Sequence, residues 1–168
     1  MDAETYARTY GPSTGDLIRL GDTSLLAEVE QDLCIGGYEL TGGAGKTMRD
    51  GEGLSPRITP KTGALDTVIQ SAIIIDANLG IIKADIGIKN GRIVGVGKAG
   101  NPDVMPGVDR RLVVGSGTAI VAGHRYIVTA GAVEAHGHLV SPDHTEHSLA
   151  AGITTIVGAA SPSSAIDA

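Results

Sequence analysis

The sequence predicts a mixed β and α/β fold, in which a small β-sandwich-like domain is followed by the first βαβ unit of a second domain. Up to about residue 126, short β-branched runs alternate with turn signals, a pattern typical of strands joined by hairpins. Beyond residue 127, a strand, a short helix and an apolar strand follow within about 30 residues, the order of a βαβ unit. We therefore divide the chain into a β-rich domain over residues 1–126 and the start of another domain over residues 127–168.

The composition restricts the core and the partners of the protein. With 25 glycines in 168 residues and neither Trp nor Phe, the core must consist of Ile, Val, Leu and Ala. The net charge of −6 and the lack of a Lys/Arg cluster argue against binding to nucleic acid or to a membrane surface. The single Cys34 excludes an internal disulfide and is typical of a reducing compartment. Because no signal-peptide pattern is present either, we expect a cytoplasmic protein.

The N-terminal part contains short strands and a glycine-rich segment. Residues 17–20 are predicted to form a short strand, and residues 25–30 fit a helix or a strand, with alternation favouring the strand. Residues 42–47 are superficially similar to a phosphate-binding loop. That motif requires a glycine where this chain has Leu40, and no helix start follows it. We interpret the segment as a surface loop, either mobile or covered by a partner.

The clearest strands lie between residues 64 and 121. Residues 66–76 are rich in β-branched side chains, and residues 81–89 alternate between apolar and polar positions. The dipeptide Asn90-Gly91 is a strong hairpin signal and predicts that residues 92–97 return as the paired strand. Two further short strands are predicted at residues 112–114 and 118–121.

A candidate metal site follows the next β-prone run. Residues 127–135 lead into His136-Gly137-His138, and because residues i and i+2 of a strand face the same side, both imidazoles can point to one site. Two neutral imidazoles are half of a metal site for zinc, nickel or iron. The alternative is a pair of hydrogen-bonded histidines without a metal.

The last part of the chain predicts a helix and a second strand. Residues 143–151 are predicted to be helical, with Ser141 or Asp143 as N-cap and Gly152 as the stop, and residues 153–158 form an apolar strand. His144 and His147 could be extra ligands, although a solvated helix face is favoured. Since two parallel strands cannot bury both faces, we expect the domain to be completed elsewhere.

Several passages of the chain resemble the large, catalytic subunit of urease, a family of metal-dependent amidohydrolases. The resemblance extends to about residue 158 and is carried by residues 10–16, 19–23, 28–32, 49–51, 83–95 and 97–105. It implies a β-rich composite domain followed by a (β/α)8 barrel, of which residues 127–168 form the first βαβ unit. The histidine pair would then lie at the C-terminal end of the first barrel strand, where barrel active sites are built.

The resemblance also implies the site and the activity. By it, His136 and His138 bind one of two nickel ions, although zinc or iron would also suit two imidazoles. The family's carboxylated lysine, further histidines and aspartate come from later strands. The implied reaction is hydrolysis of urea or a related amide C–N bond by a metal-activated water. The implied partners are a second polypeptide that completes the barrel and other urease-type subunits, in a hetero-oligomer.

The chain departs from the family at three places. Glu134 stands where the family usually has aspartate, Gly137 replaces a β-branched residue, and residues 158–163 differ from the family's glycine-rich segment. Together with the small ligand set, these departures motivate an alternative, a non-catalytic structural or assembly subunit derived from urease. A third possibility is a fragment without function on its own.

Overall fold

The computed structural model describes residues 2–34, 53–138 and 141–158. These residues form two compact units, the first ending at Val128 and the second beginning at Thr129. The first unit is mostly β, as the sequence predicts. The assignment of residues 1–126 to a composite domain and of residues 127–168 to a barrel stays a prediction. The glycine-rich residues 42–47 and most of residues 158–163 lie outside the described ranges.

A short helix that the sequence analysis missed opens the first unit. Helix α1 spans Ala3–Tyr10, and the side chain of Asp2 caps it by accepting a hydrogen bond from the Thr5 N–H at 2.8 Å. Glu4 in its first turn and Arg8 in its last turn both favour the helix dipole. The helix has no buried residue, yet Ala3, Tyr6, Ala7 and Tyr10 recur at helical spacing, so this periodicity and the Asp2 N-cap were both available signals.

A small hairpin follows the helix. Strands β1 (Leu17–Arg19) and β2 (Leu26–Glu28) pair antiparallel, which confirms both predicted strands. The hairpin buries Ile18 and Ala27 against Ile73 of the central sheet. Strand β3 (Gln31–Asp32) then joins the edge of that sheet.

Six strands form the central sheet. Its two long members are β4 (Thr67–Asp76) and β5 (Gly80–Lys89), which pair antiparallel. Strand β5 also pairs with β3 and with β6 (Arg92–Gly97), while β4 pairs with β7 (Ala119–Ala122) and β8 (Ile127–Thr129). The predicted strands at residues 66–76, 81–89, 92–97 and 118–121 are therefore confirmed.

A bulge in β4 divides this sheet into two halves. The register between β4 and β5 shifts between Ile69 and Ala72, and Ser71 has a φ of 57°. On one side of the bulge β4 pairs with β7. On the other side Ile73 N–H bonds the carbonyl of Tyr126, where the chain enters β8. Bulges increase the local bend and twist of a strand, so the sheet curls at this point.

The strand predicted at residues 112–114 is wrong. In the structure only Val113 makes an isolated bridge, to Gly100, and no strand is formed there. The apolar run instead fills the core, because Leu112 and Val114 are fully buried against Leu65 and Val68. Its backbone bonds several neighbouring segments, for example through Leu65 N–H to the Val113 carbonyl at 2.9 Å, but these bonds do not form a continuous strand ladder.

The second unit is a βαβ arrangement. Strand β9 (Ala132–Gly137) and strand β10 (Ile153–Gly158) pair in parallel, joined through helix α2 (Asp143–Ala150), as the sequence predicts. The N-cap is Pro142, so the predicted Ser141 or Asp143 cap is wrong, and no side chain caps the helix. Gly152, with a φ of 83°, follows the helix as expected. None of the helices in the described ranges is long and apolar enough to cross a membrane.

Candidate functional site

The two histidines lie where β9 ends. His136 belongs to the strand and His138 follows its last residue, and both side chains are exposed. Their Nε2 atoms are 3.2 Å apart, and the rings meet edge-on with centroids 5.0 Å apart and planes at 73°. The alternation of the strand therefore brings the two imidazoles to one site, as predicted from their spacing.

Gly137 between the histidines faces strand β10. A Cβ atom at this position would lie 2.4 Å from Cγ2 of Ile156, closer than real Cβ contacts allow. Gly137 is also the only buried residue of β9. The glycine thus permits the close approach of β9 and β10 while the flanking side chains face the opposite side of the strand.

Glu134 and His144 line the same pocket as the histidine pair. The pocket has a volume of about 310 Å³ and also includes Ser148 of α2 and Ile156 of β10. Oε1 of Glu134 accepts a hydrogen bond from the backbone N–H of His136 at 3.0 Å, which holds the end of the strand. His147 is not among the residues that line this pocket.

The histidine pair fits part of a metal site. Two nitrogens 3.2 Å apart can both lie about 2.0–2.1 Å from one ion, subtending roughly 100° there. Neutral imidazoles are suitable donors for nickel, zinc or iron. Within residues 2–34, 53–138 and 141–158, no group of three or more His, Cys, Asp and Glu side chains is arranged to hold a metal ion. The described part of the chain therefore offers two ligands, and further ones would have to come from elsewhere.

A second polar cluster, which sequence reasoning missed, is buried in the first unit. Nζ of Lys83 lies 3.1 Å from Oδ2 of Asp32, and both side chains are excluded from solvent. The two atoms are close enough for an ion pair, but their orientation does not meet the geometry of a hydrogen bond. The ammonium group also lies 5.0 Å from the ring centroid of Tyr6, a cation–π distance. Asp32 accepts further hydrogen bonds from Ser13 Oγ at 3.0 Å and Cys34 N–H at 2.8 Å.

Asp85 and Cys34 complete this cluster. The Asp85 carboxylate accepts the backbone N–H groups of Ser71 at 2.8 Å and Ala99 at 2.7 Å, and its Oδ1 lies 3.3 Å from Cys34 Sγ. Burial raises the pKa of Asp85 despite these bonds. Burial first, and then the negative charges of Asp85 and Asp32, raise the pKa of the Cys34 thiol. A buried thiol with a raised pKa is a packing residue rather than a nucleophile.

Comparisons with known proteins show what this chain is similar to. Residues 1–121 match the family described as the urease alpha-subunit, N-terminal domain, a match that stops before the histidine pair. The urease subunit alpha of Laribacter hongkongensis is 52% identical over 158 residues, which cover 94% of this chain and 28% of that protein. The urease subunit alpha of Haloarcula marismortui is 53% identical over 158 residues, with the same coverage. The chain thus spans little more than a quarter of the length of the curated relatives it matches.

Proposed function

Because this chain belongs to the urease alpha-subunit family, we propose that it is the N-terminal part of a urease-type metal-dependent amidohydrolase. The reaction would be hydrolysis of urea or a related amide C–N bond. The observation that carries the proposal is the convergence of His136 and His138, with Nε2 atoms 3.2 Å apart. They lie at the C-terminal end of a parallel strand, the edge at which barrel enzymes build their active sites.

The proposed role of this chain is to hold one metal ion. His136 and His138 would each offer a neutral Nε2, while Glu134 fixes the backbone at His136 through its bond to the His136 N–H. Nickel is the proposed ion, and two imidazoles would equally suit zinc or iron. When bound, a metal in such a site supplies Lewis-acid activation of water and of the carbonyl group.

The remaining barrel strands and ligands are proposed to come from a partner polypeptide, within a hetero-oligomer of urease-type subunits in the cytoplasm. Support comes from the second unit, in which β9 and β10 pair only with each other among the residues that the structure describes. The apolar side chains of Val133 and Val157 on these strands are 62% and 59% exposed. Parallel sheets of this kind are normally covered on both faces, so further strands and helices are needed here.

Native mass spectrometry with metal analysis tests the proposal on protein purified untagged from its source. We expect a complex that contains a second urease-like chain and about two nickel ions per copy of this chain, as in two-metal hydrolases. His136→Ala and His138→Ala should each lower the metal content and the hydrolysis of urea, whereas His147→Ala, outside the pocket, should change neither. A metal-free chain that purifies alone would contradict the proposal.

A non-catalytic structural or assembly subunit is the second candidate function. It is favoured by the small donor set, since only two imidazoles converge in the part of the chain that the structure describes. In that case His136→Ala and His138→Ala would leave the activity of the complex unchanged. Loss of the complex would instead follow from changes in the β-rich unit.

A further inference from the structure

A second pocket lies entirely on the first unit, between α1, β1 and the turn that joins β7 to β8. Its volume is about 430 Å³, and apolar side chains such as Ile18 and Ile73 form part of its lining. The polar residues and the exposed apolar residues around it are Arg8, Arg19, His124, Arg125, Tyr126 and Ile127. We propose that this pocket docks an acidic segment of a partner polypeptide, with a carboxylate bound at the wall lined by Arg8, Arg19 and Arg125.

The three arginines form a local positive charge on an acidic protein. The whole chain has a net charge of −6, yet Arg8, Arg19 and Arg125 line one pocket. Within the described ranges no carboxylate forms an ion pair with any of them, and Arg19 Nε donates to the carbonyl oxygen of Thr23 at 3.0 Å. Guanidinium groups bind carboxylates through paired, charge-assisted hydrogen bonds. The charge of the pocket therefore selects an anionic group.

His124 adds a polar atom that lacks a partner. Its Nδ1 is buried and makes no hydrogen bond to any residue in the described part of the chain. The backbone at Gly11 packs directly against the turn that contains His124. A Cβ atom at position 11 would lie 2.5 Å from the His124 carbonyl oxygen, so only glycine allows this approach. A buried polar atom without a partner costs free energy, so this wall of the pocket is incompletely satisfied within the described part of the chain.

The rim of the pocket indicates a polypeptide rather than a small molecule. Tyr126 is 66% exposed and Ile127 is 42% exposed, so a large apolar surface beside the arginines stays in contact with water. Tyrosine and arginine are the residues enriched in the energetically dominant centres of protein interfaces, where they lie beside apolar pockets. A segment with one glutamate between aliphatic residues matches both the charge and this apolar rim. The inference does not depend on metal binding at the histidine pair.

Two capped peptides provide the test on the 168-residue chain. One is Ac-Ala-Leu-Glu-Leu-Ala-NH2, and the other has glutamine in place of the glutamate. Binding is followed by amide NMR shifts, which also locate the site. We expect shifts at Ile18 and Arg125, and at least about tenfold weaker binding of the glutamine peptide, because its neutral amide cannot form an ion pair with a guanidinium group.

Arginine variants supply the matched controls. Arg125→Glu should weaken binding of the glutamate peptide by at least about tenfold, whereas Arg92→Glu, an exposed arginine outside the pocket, should not. Arg125→Lys retains the positive charge and serves as the control for misfolding of the Arg125→Glu variant. It should bind the glutamate peptide with intermediate affinity. The proposal would be overturned if both peptides bind equally, or if Arg125→Glu and Arg92→Glu have equal effects. It would also be overturned if hexanoate, a carboxylate without a peptide, binds as tightly as the glutamate peptide.

Discussion

Lys83 is the largest fully buried side chain in the described ranges, and its charge is compensated by Asp32 at 3.1 Å. Such a pair is weak evidence for stability as long as both partners are present. When one partner is removed, the other is left as an uncompensated buried charge, which is costly. The cluster around Lys83, Asp32 and Asp85 is therefore expected to be sensitive to single changes at each position.

Lys83→Met should lower the free energy of unfolding by about 3–5 kcal/mol, because Asp32 would remain buried without a cation. Urea denaturation measures the loss. Arg111→Met is the matched control, since Arg111 pairs with Asp109 at 2.6 Å with a side chain that is 65% exposed. Its loss should be at most about 1 kcal/mol. Similar losses for the two variants would contradict the account.

Asp85 should titrate above the ordinary aspartate value of 3.8, because burial raises its pKa. A carboxyl group whose folded pKa is raised holds its proton longer in the folded state than in the unfolded state. Its contribution to stability is therefore present below pH 3.8 and is lost as the pH rises through the raised pKa. Carboxyl ¹³C NMR measures this titration in the folded chain.

Asp76 is the internal control in the same spectra. It is partly exposed to solvent, and the N–H groups of Asn78 and Leu79 lower its pKa below 3.8. The two aspartates should titrate on opposite sides of that value. Titration of Asp85 at or below the midpoint of Asp76 would show that burial does not dominate its environment.

At the scale of elements, tight turns and the close approach of strands at glycine residues decide which strands pair. The hairpin between β5 and β6 turns at Asn90, with a φ of 51°, and Gly91, with a φ of 70°. Positive φ values at both central residues are what a tight two-residue hairpin needs for its twist to match the strands. The dipeptide was therefore a strong local signal, and the predicted hairpin is confirmed.

Gly91→Ala should destabilise the first unit by about 1–2 kcal/mol, the cost of placing an L-residue in the left-handed region. No atom lies within 4 Å of the added Cβ, so backbone strain is the only expected cause. Thermal or urea unfolding measures the change. Arg92→Ala in the same hairpin should change stability by less than about 0.5 kcal/mol. A larger loss for Arg92→Ala would point to side-chain contacts instead.

Gly137→Ala should loosen the pairing of β9 with β10, because the new methyl group would collide with Ile156. Hydrogen exchange of the β10 amides should become faster, and the two histidine rings should separate. The double variant Gly137→Ala/Ile156→Ala removes the collision and should restore slow exchange. If the double variant exchanges as fast as the single one, the contact with Ile156 is not what requires the glycine.

At the scale of the whole molecule, the two units differ in how well they are covered. The first unit buries several apolar clusters around the central sheet. In the second unit Val133, Leu149 and Val157 are 62%, 66% and 59% exposed. Exposed apolar patches of this kind mark interaction surfaces or aggregation sites.

The isolated chain should therefore self-associate, and Val133→Ser combined with Val157→Ser should reduce that association. Analytical ultracentrifugation over a range of concentrations measures it. Leu79→Ser serves as the control, since Leu79 is 48% exposed in the turn between β4 and β5 and should not contribute. A chain that stays monomeric before any substitution would contradict this expectation.

The sequence by itself determined the features that depend on residues close together in the chain. The strands from residue 67 to 97, the hairpin turn, the βαβ order and the shared face of His136 and His138 all follow from periodicity and turn chemistry within a few residues. Contacts between distant residues were decided only by the tertiary structure. They buried Lys83 beside Asp32, placed Arg8, Arg19 and Arg125 around one pocket, and turned residues 112–114 into core instead of a strand. No local pattern encodes such contacts, because each partner lies on a different element.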